Sequence, residues 1–420
     1  MSIVLSWLSA DGKKLVGARV LRSFAYGYLT VILALYLDSL GLDGLGIGAV
    51  LTAAIGGSAV MTIFWSRLAD RYGRRRTLAT MAALMTGGGL LFAIGGSFWL
   101  LLLGAFTGTI SATSSEVGIL QTIDQAVLPQ TAPDSRRTWL FSIYNTIATL
   151  AAALGALFSA VVGTFAGLGL AGADVYRPLF LLYALIGLAN LAIFATLSDR
   201  VELAKVERPV IDVRRSRGII TRLAVLFGID AFAGGIVVQS LVAYWFVLRW
   251  GLSAAALAGI FFWVGILSAS SLLAAGWLAR RIGLLNTMVF THLPSNVLLM
   301  LVPLAPSAGL AVALFLLRMS ISQMDVPTRQ SYTMAIVDPS ERVAAAGITN
   351  VARTTASALS PVLTGAAFGA GALGLPFLVA GMLKIGYDIA IYRTFRHIRP
   401  PEEEERHARA KPSKGPSTKV

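Results

Sequence analysis

Eight ionisable side chains, Arg22, Glu116, Asp124, Asp230, Arg318, Asp325, Arg329 and Arg353, stand inside long apolar stretches rather than between them. A carboxylate in such surroundings can exchange a proton when desolvation disfavours its charged form, or keep its charge beside an arginine. The residue types leave both open. Bond-making chemistry is not among the options. No nucleophile, base and third group fall at catalytic spacing, and there is no Gly-x-x-x-x-Gly-Lys loop for ATP. Cysteine is absent, which removes disulfides, thiolate metal ligands and thiol catalysis. His292, near Pro294 and Asn296, lacks a second ligand and so makes no metal site. The expectation is a protein that is not an enzyme, needs no cofactor, and draws its energy from a gradient.

The elements that must position these side chains are transmembrane helices. Of the 420 residues, 56% are apolar and 13% charged, and the mean hydropathy is +0.74, outside the range of water-soluble domains. Apolar runs bounded by Gly, Pro and charge clusters place six spans at Ala18–Leu40, Leu45–Trp65, Thr77–Ile94, Phe98–Val127, Trp139–Val162 and Pro178–Leu197. Six more fall at Ile219–Leu248, Ala254–Leu278, Leu284–Pro303, Ala308–Val337, Val343–Phe368 and Pro376–Phe395. The net charge of +14 lies between spans and not on one basic face, so it reads as topology and not as nucleic-acid binding. Lys13, Lys14, the Arg67–Arg76 cluster, Arg136, Arg137, Arg280, Arg281 and Arg342 gather on one side, against Arg177 and Arg249 on the other. Both termini are therefore expected in the cytoplasm, with the chain in the plasma or inner membrane.

The two sets of spans repeat each other at a separation of about 209 positions. Ser23–Gly27 aligns with Ala231–Gly235, and Leu68-Ala69 with Leu278-Ala279. Glu116-Val117-Gly118 through Gln121 aligns with Asp325-Val326-Pro327 through Gln330, and Asn145 with Asn350. The expected organisation is an all-α integral membrane protein of two pseudo-symmetric six-helix bundles, residues 1–197 and 219–399. A cytoplasmic linker, 198–218, joins them, and a disordered tail, 400–420, follows.

After the second span stands Ser66-Arg67-Leu68-Ala69-Asp70-Arg71-Tyr72-Gly73-Arg74-Arg75-Arg76-Thr77-Leu78. It resembles the loop signature of the major facilitator superfamily, Gly-x-Leu-Ala-Asp-Arg-x-Gly-Arg-Arg-x-x-Leu, with Ser66 for the first glycine. A degraded copy, Gly276-Trp277-Leu278-Ala279-Arg280-Arg281-Ile282-Gly283, follows the eighth span. The resemblance implies a conformational gate built from Asp70, Arg71, Gly73, Arg74 and Arg75. In it Asp70 reaches the start of the eleventh span, and a loop arginine pairs with Asp124 at the end of the fourth. It also implies that spans one, four, seven and ten line a central cavity.

On that arrangement the substrate and proton-coupling residues are Glu116, Asp230, Arg318, Asp325 and Arg353. A rise of about 1.5 Å per residue puts Arg318 about 15 Å below the outer end of its span and Glu116 and Asp325 about 26 Å below theirs. Arg22, Gln121, Asn145, Gln330 and Asn350 are further polar candidates, while Arg22, Asp124 and Arg329 suit gating or snorkelling. Lys384 and Asp388, at i and i+4 in a peripheral span, read as a structural pair. The expected function is secondary transport of a small polar or amphiphilic solute by alternating access. Proton coupling is expected, by a monomer surrounded by lipid. The loop motif favours export, although Gly104 stands where exporters carry an early arginine and Leu154-Gly155-Ala156 replaces their Gly-Pro signature. Uptake, uniport, lipid flipping and a non-transporting sensor are the competing readings.

The arginine asymmetry makes a direct prediction. Single cysteines at Ser216 and Ser413 should resist impermeant thiol reagents in intact cells, whereas cysteines at Gly172 and Ser307 should react. The reverse pattern overturns the orientation.

Overall fold

In hydrocarbon the backbone finds no water to bond, so each span must close its own hydrogen bonds or hand them to a neighbour. The computed structural model describes residues 8–113, 118–131, 137–202, 215–398 and 400, and among them all regular structure is helical. In the first bundle, α1 (Ala10–Ser39), α2 (Gly44–Tyr72) and α3 (Arg74–Ile94) are single helices. The fourth span is divided into α4 (Phe98–Phe106) and α5 (Ile119–Val127). The fifth is α6 (Arg137–Phe158) continued by α7 (Val161–Gly167), and the sixth is α8 (Arg177–Ala195). The second bundle opens with α9 (Arg217–Ile236) and α10 (Gln239–Trp250), then α11 (Ala254–Ile282) and α12 (Leu284–Leu301). It closes with α13 (Ala308–Ser322) and α14 (Asp325–Ile336), α15 (Arg342–Ala358) and α16 (Pro361–Gly369), and α17 (Leu375–Phe395). Among the described residues ten spans are long and apolar enough to cross a membrane. The interrupted fourth and the more polar eleventh complete the twelve.

Two boundaries differ from the sequence expectation. The first helix starts at Ala10 instead of Ala18, because the Ser9 hydroxyl accepts from the Gly12 N–H at 3.2 Å and caps it. The motif at Ser66–Tyr72, expected as a loop, is the last two turns of α2. The turn itself is Gly73, whose φ of +100° suits glycine, and Gly283 repeats it at +92° between α11 and α12. The Glu202 carboxylate accepts the Arg74 and Arg75 N–H groups at 2.6 and 3.0 Å, capping α3, and Glu341 accepts those of Arg215 and Ser216 at 2.8 and 2.7 Å ahead of α9. Beside that cap, the Ser340 hydroxyl and N–H and the Arg215 guanidinium hold the Asp338 carboxyl at about 2. Most of the expected linker and the tail beyond residue 400 lie outside the described residues.

Five spans are broken at depth, and the freed backbone groups find partners. The Ala112 carbonyl, in the break of the fourth span, accepts from the Ser240 N–H at 3.3 Å and its hydroxyl at 3.1 Å, just past the break of the seventh. The Ile236 carbonyl accepts from the Thr364 hydroxyl at 2.7 Å, and the Val362 N–H donates to the Thr52 hydroxyl at 3.1 Å. Left unpaired in lipid, such a group costs several kcal/mol.

Several of these bonds cross between bundles, and all lie toward the end away from the arginine clusters. There α2 packs on α16, α1 on α10 and α6 on α11, and the Tyr244 hydroxyl donates to Asp38 at 2.7 Å. The α2–α16 approach is backbone on backbone, since a Cβ on Gly365 would collide with the Gly44 carbonyl oxygen. The far end is sealed. Toward the arginine-rich end α15 is exposed at Ala346, Gly347, Ile348 and Asn350.

The alternating access expected from the sequence requires this seal to open in a second state, and crowding it should favour that state. Gly365→Ala should raise the labelling rate of a cysteine at Ile55 by far-side impermeant reagent at least fivefold. An unchanged rate would show that the α2–α16 contact does not govern opening.

Candidate functional site

A cavity of about 340 Å³ lies on the seam between the bundles, within the size range of small-molecule sites. The first bundle contributes Tyr26 from α1, Ala54, Ile55 and Ser58 from α2, and the fourth-span break from Gly108 to Thr113. The second contributes Asp230, Ala231, Gly234, Gly235 and Val238 around α9, Asn350, Arg353, Thr354 and Ser357 from α15, and Lys384 from α17. One wall is thus hydroxyl groups and open backbone. The other is charged.

Asp230 organises the charged wall. Its side chain is 5% exposed, and Lys384 Nζ stands 2.6 Å from Oδ1. Arg353 and Arg329 stand 3.1 and 3.4 Å from Oδ2. Arg329 also holds Asp325 at 2.6 Å, one turn away on α14. His292 on α12 puts Nε2 3.8 Å from Asp230 Oδ1, while its Nδ1 meets Asp388 at 2.8 Å. A buried charge survives only when paired and hydrogen-bonded, and four helices converge here to meet that demand.

The first bundle carries the same design with the signs exchanged. Arg22, at the position of α1 that the repeat aligns with Asp230, bonds Asp124 at 2.6 Å and Asn190 at 3.1 Å, and Arg22 and Asp124 are fully buried. The Tyr144 hydroxyl donates to Asp124 at 2.9 Å, and Arg19 lies over the Tyr144 ring at 5.1 Å. Arginine on the first span and acid on the fourth correspond to acid on the seventh and arginine on the tenth.

Set against the sequence reading, Asp230, Arg353 and Asn350 line the cavity. Asp325 and Arg329 stand behind the wall. No tenth-span residue lines it among those described, whereas the second, eleventh and twelfth spans do. Arg318 is placed elsewhere, with a nitrogen 3.2 Å from Met319 Sδ and its Nε buried without a bond. Asn145 and Gln330 are exposed, and Gln121 is half-buried outside the cavity. Glu116 and the Asp70 side chain lie outside the described residues. Among the described residues Asp124 takes Arg22 as its partner at 2.6 Å, although its helix packs in one cluster with Ala69 and Leu78 on either side of the Gly73 turn. Among the gate residues Arg71 is exposed, and Arg75 donates to the Ala195 carbonyl at 2.9 Å.

The sequence reading assigned Lys384 and Asp388 to each other, but both look elsewhere: Lys384 to Asp230, and Asp388 to His292 and Asn296. Each found a stronger counter-ion or donor on a neighbouring helix. A signal was present, since Pro178 and Pro376 open equivalent spans and so align Asn190 with Asp388, both facing the central charge of their bundle.

Two six-span bundles around a seam cavity closed at one end define a membrane transporter. The chain belongs to the Major Facilitator Superfamily, whose family pattern it matches over residues 15–361. It is 27% identical to an uncharacterized membrane protein of Saccharomyces cerevisiae, across 91% of this chain and 93% of that one. Its fold is that of a variant of the nucleoside transporter NupG (TM-score 0.73, 13% identity, 92% of this chain and 100% of that one). A D-xylose–proton symporter shares it as well (TM-score 0.70, 15% identity, 90% and 97%). So does a bacterial homolog of the human lysosomal transporter Spinster in an inward-facing, unoccupied conformation (TM-score 0.68, 15% identity, 90% and 93%).

Removing the central acid takes the counter-ion from Lys384 and Arg353, while Arg329 keeps Asp325. Asp230→Asn should cost about 3–5 kcal/mol, seen as a lower apparent melting temperature in detergent, and adding Lys384→Met should recover part of the loss. An unchanged melting temperature would mean that the cluster does not hold the bundle together.

Proposed function

We propose that this protein is a secondary carrier that moves a small polar or amphiphilic solute bearing an anionic group by alternating access, in exchange with or together with a proton. The observation that carries this reading is the cavity wall itself, where Arg353 and Lys384 outnumber Asp230. A ligand anion can draw either cation away from Asp230 without leaving a charge unpaired. Opposite them Ser58, Thr109, Ser111 and Thr113 supply donors and acceptors for the rest of a polar solute. Asp230 meets both the cavity and the buried acids, so its protonation state and the solute's charge act on the same cations. Glu116 and Asp325 are the further coupling candidates. Export is the direction we assign, on the likeness of residues 66–78 to exporter loops.

A thermal-shift screen of purified protein against metabolites and drugs identifies the solute, because a ligand that binds the native state raises its apparent stability. The stabilising compounds should carry a carboxylate, phosphate or sulfonate, and Arg353→Gln should weaken them at least tenfold, about 1.4 kcal/mol. With that solute in proteoliposomes, the double variant Glu116→Gln, Asp325→Asn should lose proton-driven accumulation while exchange survives. Neutral or cationic binders indifferent to Arg353 would refute the anionic assignment, and wild-type driven flux from the double variant would refute coupling through these two acids.

A further inference from the structure

Behind the charged wall is a buried cluster that the solute does not touch. His292 and Asn296 on α12 and Asp388 on α17 are all at most 3% exposed, and none lines the cavity. Asp388 accepts from Asn296 at 2.9 Å and meets His292 Nδ1 at 2.8 Å. On the other side of the ring, Nε2 faces Asp230 Oδ1 at 3.8 Å. A neutral imidazole has one N–H and one lone pair. Asn296 Nδ2 also lies 3.3 Å from Nδ1; in the tautomer with the N–H on Nδ1, bonded to the Asp388 carboxylate, Nε2 carries the lone pair on the side of Asp230, and 3.8 Å is too long for a hydrogen bond.

We propose that His292 is the site where the coupling proton is held, and that its imidazolium becomes the counter-ion of Asp230 when the solute claims Arg353 and Lys384. The inference rests on the transport reading above. A proton from cavity water attaches to the carboxylate of Asp230, a residue that lines the cavity. Once the ring and the carboxylate close to hydrogen-bond distance, the proton passes to His292 Nε2: the O–H bond breaks, an N–H bond forms from the ring's lone pair, and Asp230 is again a carboxylate. Asp388 keeps its bond to Nδ1–H throughout. No other reagent is required. One proton thus enters with one solute anion, and the cluster's charge is unchanged.

The groups facing the ring are few. From α9 comes Asp230; from α17, Lys384, Asp388 and Tyr387, whose ring meets the imidazole edge-on at 6.0 Å between centroids. From α13 and α14 come Arg318, Asp325 and Arg329, of which Arg329 is committed to Asp325 and Asp230. The packed helix α11 has no ionisable residue before Arg280 and Arg281 at its end. Asp230 and Asp388 are therefore the acids that a proton on His292 joins.

The full sequence has three histidines, so ¹⁵N-histidine labelling of the intact protein in nanodiscs, with His397→Gln and His407→Gln, isolates the His292 signals. At high pH Nε2 should show the shift of a bare nitrogen and on acidification that of N–H, while Nδ1 stays protonated; an unchanging Nε2 between pH 5 and 9 overturns the proposal without any variant at His292. Benzoate, as a probe monoanion, is then titrated by calorimetry in buffers of different ionisation enthalpy. Binding should take up about one proton, with affinity falling up to tenfold per pH unit above the imidazole's titration, and His292→Gln should bind with no uptake. A purely structural histidine would change stability and not proton stoichiometry. Uptake retained in His292→Gln, or none in the wild type, overturns the inference and leaves the carrier reading standing. Failure of benzoate and of every other anion to bind overturns both.

Discussion

An aspartate inside a bilayer cannot be left alone, and the second bundle is arranged around that constraint. Asp230 draws Lys384 from α17, Arg353 from α15 and Arg329 from α14 to within 3.4 Å. Three helices that share no loop with α9 are thereby fixed to it. The charged cavity wall is a by-product of this fastening, because two of the three cations reach the carboxylate across the edge of the seam. Three of the residues that hold the bundle together, Asp230, Arg353 and Lys384, are thus also residues that line the cavity.

Duplication explains why the arrangement appears twice and why the copies differ. Arg22 and Asp230 occupy equivalent places and have opposite signs, and each recruits its counter-charge from the fourth span of its own bundle. The first copy is closed and fully buried, whereas the second is overloaded with cations and opens on the cavity. The two copies share their placement in the bundle and differ in the placement of charge, one pair fully buried and the other cluster bordering the cavity. The breaks in the fourth and seventh spans follow the same economy, since Ala112 and Ser240 satisfy each other across the seam.

Much of the fold was legible because lipid permits so few solutions. Hydropathy placed the spans, and the thirteen residues Ser66–Leu78 pointed to the superfamily. The helix breaks were not legible, for they depend on hydroxyl groups such as Thr364 and Ser240 that bond carbonyls remote in sequence. Asp230 was a cavity candidate through the family's lining spans and Asn350 through the internal repeat, but neither span nor depth says anything of azimuth. That is why Arg318, expected at the site, does not line the cavity. Lys384 and Asp388 misled for a related reason: i, i+4 spacing shows that two side chains share a face, not that they prefer each other to what lies opposite.

The ion pairs have a further consequence for the electrical behaviour of the carrier. Among the described residues every buried salt bridge closes within one bundle: Arg22 with Asp124 in the first, Asp230 and its cations in the second. What crosses the seam is uncharged, such as Ser240 to Ala112 and Val362 to Thr52, or lies at the sealed end, as Tyr244 to Asp38 does. Rocking one bundle against the other therefore bares no lone charge to hydrocarbon. A membrane potential of 100 mV does about 2.3 kcal/mol of work on each elementary charge carried across, but a matched pair travelling together takes almost none of it. Voltage sensitivity is left to whatever the cavity contains, so the valence of the cargo determines whether the cell's membrane potential drives this protein or is irrelevant to it.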